Sequence, residues 1–227
     1  MPVDGSCHVT MVRALLIMLW TGSSCLSSIY RSAHVQRSRE HTGRILRITG
    51  GTARGRSVES PVSGEVRPTG AKVRQALFNI LAFRMSEARV LDICAGTGLI
   101  GIEALSRGAG TLISIEENRA LAKAIETSLK KLKLDGEVIC GDFRRVLPIL
   151  EPKSFDIIFA DPPYKSPHIN EIPLSVAKHD LLDDGGLLVI EHLKGFKFSE
   201  ECAGLALTST RNYGQTSLSF FSAEKKD

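Results

Sequence analysis

Cysteine is sparse in this 227-residue chain and poorly placed for covalent or metal chemistry. Cys7, Cys25, Cys94, Cys140 and Cys202 are odd in number, scattered, and form no C-x-x-C pair. That argues against a disulfide framework or a zinc site and fits a reducing compartment. The six histidines show no metal-ligand spacing, no Ser-His-Asp pattern stands out, and no internal repeat is evident. Long apolar runs are missing too. The seven residues Ala14–Trp20 are too few to cross a bilayer, so no membrane span is expected. What is present, a hydrophobic fraction of 43%, suits one α/β domain with a small N-terminal extension.

Acidic residues are scarce in one stretch. Residues 31–74 hold ten Lys/Arg against three Asp/Glu, whereas residues 75–227 carry a net charge of −3. A basic arm ahead of a mildly acidic domain points to a polyanionic substrate, the plain alternative being a solvated charge run. Arg44, Arg47, Arg54 and Arg56 are interleaved with Gly43, Gly50, Gly51 and Gly55. Such a composition suits a flexible arm following a phosphate backbone better than a helix face.

Residues 1–45 differ from the rest and are set apart from the fold. The apolar run is followed by Ser-rich, Arg-containing sequence with almost no acid before Glu40. A signal peptide, an organelle transit peptide or a mis-called start all have this character.

From Ile45 to Val66, β-branched residues alternate with Gly, Arg and Ser, which predicts a short hairpin or extended arm. Pro68-Thr69 opens a helix with Thr69 as its cap, and Val73, Ala76, Leu77, Ile80 and Leu81 form its buried stripe. Arg67, Lys72 and Arg74 fall near its start, where they can face substrate or cofactor. Thereafter strands near 89–94, 111–116, 137–140, 155–160 and 186–191 alternate with helices over 99–107, 117–133, 142–150 and 170–181. That alternation predicts a mostly parallel sheet covered on both faces. Runs 204–210 and 216–222 flank Tyr213-Gly214-Gln215 and predict an antiparallel terminal hairpin.

The motif with the most chemistry is Asp161-Pro162-Pro163-Tyr164, directly after the apolar run Phe155–Ala160. Two prolines remove two backbone donors and stiffen the loop. A carboxylate, a loop carbonyl and an aromatic ring together suit a planar group bearing an exocyclic amine. Earlier, Val90–Ile93 runs into Cys94-Ala95-Gly96-Thr97-Gly98-Leu99-Ile100-Gly101, a G-x-G-x-x-G turn at a helix start. Asp92 ahead of those glycines would repel a pyrophosphate but attract an ammonium. Glu116, ending the next strand, is placed to accept both ribose hydroxyls. This charge pattern favours S-adenosylmethionine over NAD. Asp142 is either a helix N-cap or an acceptor for an adenine amine, with Phe143 beside the ring. Asp92, Glu116, Asp142 and Asp161 thus all fall at carboxyl ends of strands, where ligands bind in such sheets.

These residues resemble the class I S-adenosylmethionine-dependent methyltransferases, and more narrowly the RsmD family. The similarity covers residues 46 to 222 and rests on Arg47–Gly51, Arg54-Gly55-Arg56, Arg67-Pro68-Thr69 with Val73-Arg74 and Phe78-Asn79, Asp92–Gly101, Glu103–Ala109, Asp161–Tyr164 and Tyr213-Gly214. It implies a Rossmann-like domain over 86–227 behind a basic arm and helix over 46–85. It also implies methyl transfer from S-adenosylmethionine to N2 of a guanine in small-subunit rRNA, free or in the ribosomal particle. The implied catalytic residues are Asp161, Pro162, Pro163 and Tyr164. Ala95, Gly96, Gly98 and Gly101 join Asp92, Glu116, Asp142 and Phe143 around the cofactor, and Arg47, Arg54, Arg56, Arg67 and Arg74 meet RNA. A monomer without metal, in the bacterial cytoplasm, is expected; a genuine transit peptide would imply an organelle. Leu46 stands where family members carry their first methionine, so a non-AUG start at that position is a further expectation.

The chemistry expected is direct displacement, with Asp161 and the Pro162 carbonyl accepting the amine hydrogens and alignment supplying much of the acceleration. DNA adenine and protein glutamine present the same planar amine and are rival substrates. A non-catalytic RNA-binding assembly factor and a dinucleotide oxidoreductase are rivals of other classes.

Overall fold

The computed structural model describes residues 45–59, 70–164, 166–198 and 204–223. The expectations for residues 1–44, for Arg67 and for Thr69 lie outside them. Strands β1 (Ile45–Arg47) and β2 (Ser57–Glu59) pair antiparallel, Leu46 opposite Val58, with both side chains buried. Helix α1 (Ala71–Ile80) follows, and its cap is Gly70, which makes no side-chain cap bond. Its buried stripe is rotated from the expected one. Arg74 and Phe78 are buried with Val73, Leu77 and Leu81, while Ala76 and Ile80 are only half-buried.

The larger sheet follows as β3 (Arg89–Ile93), α2 (Leu99–Ser106), β4 (Thr111–Glu116), α3 (Arg119–Leu132), β5 (Glu137–Cys140), α4 (Phe143–Val146), β6 (Phe155–Ala160), α5 (Glu171–Lys178), β7 (Leu182–Leu193), β8 (Leu205–Tyr213) and β9 (Thr216–Ala223). Its order is β5-β4-β3-β6-β7-β9-β8, with β3, β4, β5, β6 and β7 parallel and β9 antiparallel to both β7 and β8. Consecutive residues Val90, Leu91, Asp92 and Ile93 are all buried, as are Ile157 to Ala160, so both faces of these central strands are covered. The order reverses between β3 and β6. Ile93 and Ala160 sit in register there, at the carboxyl ends where such sheets open a crevice.

Local chemistry explains the altered boundaries. Asn118 caps α3 by accepting from the Ala120 and Leu121 N–H groups, and Lys133 ends it in the left-handed region. Pro148 lacks the N–H a longer helix needs, so α4 stops at Val146 and a 3₁₀ turn completes the segment. Strand β7 starts at Leu182 rather than near 186, because an irregularity opposite Phe155–Ile157 lets the ladder resume beyond Gly185-Gly186. Among the described residues no helix is long and apolar enough to cross a membrane.

Candidate active site

Asp92, next to last in β3, is almost wholly buried, and its Oδ2 accepts the Gly101 N–H at 3.1 Å. Burial pushes its carboxyl up to about 7; the Gly101 bond pulls it down and the Glu116 charge raises it further. Glu116, last in β4, accepts the Gly96 N–H at 2.6 Å through one oxygen and the Asn118 N–H at 2.8 Å through the other. It is raised chiefly by burial, with those two N–H groups opposing. The Glu117 N–H opposes the rise as well, so three backbone donors share the carboxylate's roughly four lone-pair sites and leave room for about one hydroxyl donor more. Between these strands the chain turns through Cys94, Gly96 and Gly98, all with positive φ. A Cβ on Gly98 would stand 2.7 Å from Ile125, so only glycine lets the loop lie on α3.

The Cys94 thiol records how the acids converge. Burial pushes it up to about 12, and Glu116, Asp161, Asp92 and Glu117 each add to that rise. A thiol held there is no nucleophile at neutral pH. Asp161 follows β6, and its N–H donates to the Ile93 carbonyl at 3.3 Å, fixing the Asp161 loop beside the glycine turn. Pro162 is buried, Asp161 and Tyr164 are half-buried, and Pro163 is exposed. Asp142 caps α4 by accepting the Arg144 N–H at 2.9 Å, and its two oxygens also take the Arg144 guanidinium. That guanidinium holds the Asp142 carboxyl below its usual range. Phe143 packs into the core beside it. Asp92, Glu116, Asp142 and Asp161 therefore occupy one edge, set by four parallel strands.

The arm behaves differently from the expectation. Arg74 is a correction: its guanidinium is buried against Glu103 and also donates to the Arg47 carbonyl, so it holds the fold rather than meeting RNA. Arg56 donates to the Lys131 and Leu132 carbonyls at 2.7 and 3.2 Å, closing the C-terminus of α3. Because α3 runs from the end of β4 to the start of β5, Arg56 stands at the sheet edge opposite the acids. Arg47 donates to the Gly55 carbonyl and, like Arg54, is exposed.

Sequence reasoning missed the hub at Glu103. This fully buried carboxylate accepts from Arg74 at 2.7 Å, from Arg107 at 2.7 Å, and from the Thr49 N–H and hydroxyl. Arg107 also lies 4.7 Å over the Phe78 ring. A Cβ on Gly51 would fall 1.7 Å from the Ser106 carbonyl, which shows how closely the arm lies on α2. The arm segment Thr49–Gly51 and the helix segment Glu103–Arg107 are thus two halves of one clamp. An acid inside the apolar helix Leu99–Ser106 was the available signal, since buried acids need partners. Also missed was the anchoring of Tyr164, whose hydroxyl meets Thr216 at 2.9 Å and Glu191 at 3.3 Å. Among the described residues no His, Cys, Asp or Glu cluster could hold a metal ion.

Comparison with known proteins agrees with this architecture. The family model described as Conserved hypothetical protein 95 matches residues 46–222. YlbH of Bacillus subtilis (strain 168), provisionally named an rRNA methyltransferase, is 30% identical over 180 residues, 78% of this chain and 98% of its own length. Ribosomal RNA small subunit methyltransferase D of Escherichia coli (strain K12) is 35% identical over 148 residues, 65% of this chain and 72% of its own. The solved structure of yhhF from Escherichia coli, provisionally named a methyltransferase, superposes with a TM-score of 0.70 at 31% identity, covering 81% of this chain and 100% of its own.

Proposed function

The chain belongs to the Conserved hypothetical protein 95 family, and from that premise we propose that it methylates the exocyclic N2 of a guanine in small-subunit rRNA with S-adenosylmethionine. The observation that carries the proposal is the meeting of Asp92, Glu116 and Asp161 at the carboxyl ends of β3, β4 and β6, where the strand order reverses. The names of the relatives support rRNA as the substrate class.

The residues present fit the cofactor. The buried Asp92 suits the ammonium of an amino-acid tail, directly or through a water, and the Glu116 carboxylate suits a ribose hydroxyl. Asp142 would take an adenine amine only by drawing an oxygen from Arg144, which already engages both, and Phe143 flanks that end. S-adenosylmethionine supplies an electrophilic methyl on a sulfonium.

The chain's own part is to bind, orient and align. The target guanine must leave any stack it occupies, at a cost of a few kcal/mol, to reach the Asp161 loop. Asp161 and the Pro162 carbonyl accept the two amine hydrogens, which orients a lone pair otherwise delocalised into the ring. Alignment of that lone pair opposite the methyl supplies much of the rate. Residues 86–227 form the proposed catalytic domain and residues 46–85 an arm and helix locked onto it. We place the protein in the cytoplasm as a monomer acting on 16S rRNA or the small ribosomal particle.

Labelled S-adenosylmethionine with small-subunit particles lacking native methylation, followed by nucleoside analysis, tests this. N2-methylguanosine is the expected product. Cofactor binding without transfer to any RNA, but with transfer to DNA adenine or protein glutamine, would overturn the substrate assignment.

A further inference from the structure

We propose that Thr216 and Glu191 are positioning residues that lock the Tyr164 ring as a fixed wall of the base pocket, an inference that rests on the planar-amine methyltransferase reading above. Tyr164 hangs from a loop, and an aromatic ring on a loop ordinarily keeps freedom about its two side-chain torsions. Here both ends are held. At the backbone end, Pro162 and Pro163 fix two φ angles, and the Asp161 N–H is bonded to the Ile93 carbonyl. At the far end, the phenolic oxygen lies 2.9 Å from the Thr216 hydroxyl and 3.3 Å from a Glu191 carboxylate oxygen, 52 and 27 residues away in sequence.

The two contacts differ in kind. A distance of 2.9 Å lies within the ordinary range for hydroxyl pairs, whereas 3.3 Å is long, so Thr216 bears the tether and Glu191 sets the direction of the proton. A carboxylate accepts, hence the phenol donates to Glu191 and the Thr216 hydroxyl donates to the phenol. The anchors do not move easily. Glu191 and Thr216 are 3% and 6% exposed and sit in the β7–β9 ladder, Glu191 opposite Leu218 and Thr216 opposite Leu193. The antiparallel strand β9 therefore does more than close the sheet: it backs the substrate loop. A ring held at both ends presents one face at one height, which is what stacking on a planar base requires if the amine is to meet Asp161 in line.

The test is a double-mutant cycle on Tyr164→Phe and Thr216→Val, each read by kcat and KM on small-subunit particles, by calorimetric affinity for S-adenosylmethionine, and by Tm. Both substitutions keep the shape and remove the tether. Each single variant is expected to lower kcat about tenfold, the value of one lost hydrogen bond in the transition state. Cofactor affinity is expected to stay at wild type, and the double variant to be no slower than either single one. Thr216→Ser restores the rate, because the hydroxyl returns. Full additivity in the cycle, or wild-type kcat in Thr216→Val, overturns the proposal. A general weakening of the sheet would instead lower cofactor affinity and Tm in Thr216→Val but not in Tyr164→Phe, and that pattern also overturns it. Failure of the substrate assignment is distinguishable. No methyl transfer to RNA by the unaltered protein, with non-additive Tm values in the cycle, strikes the substrate and upholds the tether.

Discussion

The Arg74 guanidinium donates to Glu103 at 2.7 Å across 29 residues of sequence, with both side chains almost wholly out of water. Arg107 and Thr49 complete the set, so one carboxylate ties together the arm, α1 and α2.

Removing that carboxylate strands two arginines, one of them buried. Glu103→Ala is expected to cost about 3–5 kcal/mol, the usual loss when one partner of a buried pair is deleted. For a domain of this size that is a fall in Tm of roughly 10 °C. The pH dependence has a definite sign. Burial alone would raise Glu103, but the bonds from Thr49, Arg107 and Arg74 outweigh it and leave it lowered. Its contribution is therefore present above the ordinary glutamate range and lost as pH falls through the lowered value. Thermal melts of wild type and Glu103→Ala that agree within 2 °C at neutral pH would refute the hub.

Asp92 pulls the other way. Its carboxyl is held at about 7 instead of 3.8, so between those values the folded state keeps a proton that the unfolded chain has lost. Stability therefore falls as pH rises through that window, by on the order of 4 kcal/mol at pH 8. Asp92→Asn is expected to raise Tm at pH 8, to raise it little at pH 4, and to abolish cofactor binding. A variant that is less stable than wild type at pH 8 would show that the charge is compensated and the argument wrong. The loss of binding with a gain of stability is the signature of a group kept for function.

Much of this site was legible because strands and helices alternate with clear periods. Asp92, Glu116, Asp142 and Asp161 each end a segment whose hydrophobic run defines its own boundary, so their common edge follows from local sequence and a parallel sheet. Arg74 was not legible. An arginine four residues into a helix looks solvent-facing until its partner is known, and Glu103 is supplied by a different helix. The same reason hid the tether: nothing in Asp161-Pro162-Pro163-Tyr164 says that Thr216 will arrive beside the phenol, because that depends on the antiparallel entry of β9. The rotated stripe of α1 is a third case, since Phe78 is buried in the core with Arg107 over its ring, tertiary contacts without local period.

Asp161 divides binding from chemistry. In the proposed mechanism its carboxylate stands at the amine side of the pocket, whereas Asp92 and Glu116 are assigned to the cofactor. Asp161→Ala is expected to lose turnover by at least about a thousandfold while calorimetry with S-adenosylmethionine stays within twofold of wild type. Asp161→Asn, which keeps one acceptor oxygen, should retain measurable activity. Turnover near wild type in Asp161→Ala would remove this residue from the mechanism.

Arg54 and Arg56 separate a stabilising arginine from one open to solvent and proposed to meet RNA. The Arg56 guanidinium donates to the Lys131 and Leu132 carbonyls, where it complements the negative end of α3. Arg56→Ala is expected to lower Tm by about 2–4 °C, one hydrogen-bonded cap's worth, with no change in the salt slope of RNA binding. Arg54 is exposed on the same turn. Arg54→Ala is expected to leave Tm unchanged and to reduce the salt slope by about one, the loss of a single phosphate contact. Filter binding across a salt series, with melts on the same preparations, separates the two. The reverse pattern would mean that the arm shifts on RNA and releases Arg56 from α3. Such a release would leave the Lys131 and Leu132 carbonyls without the Arg56 donors, so RNA binding and the stability of α3 would then oppose one another.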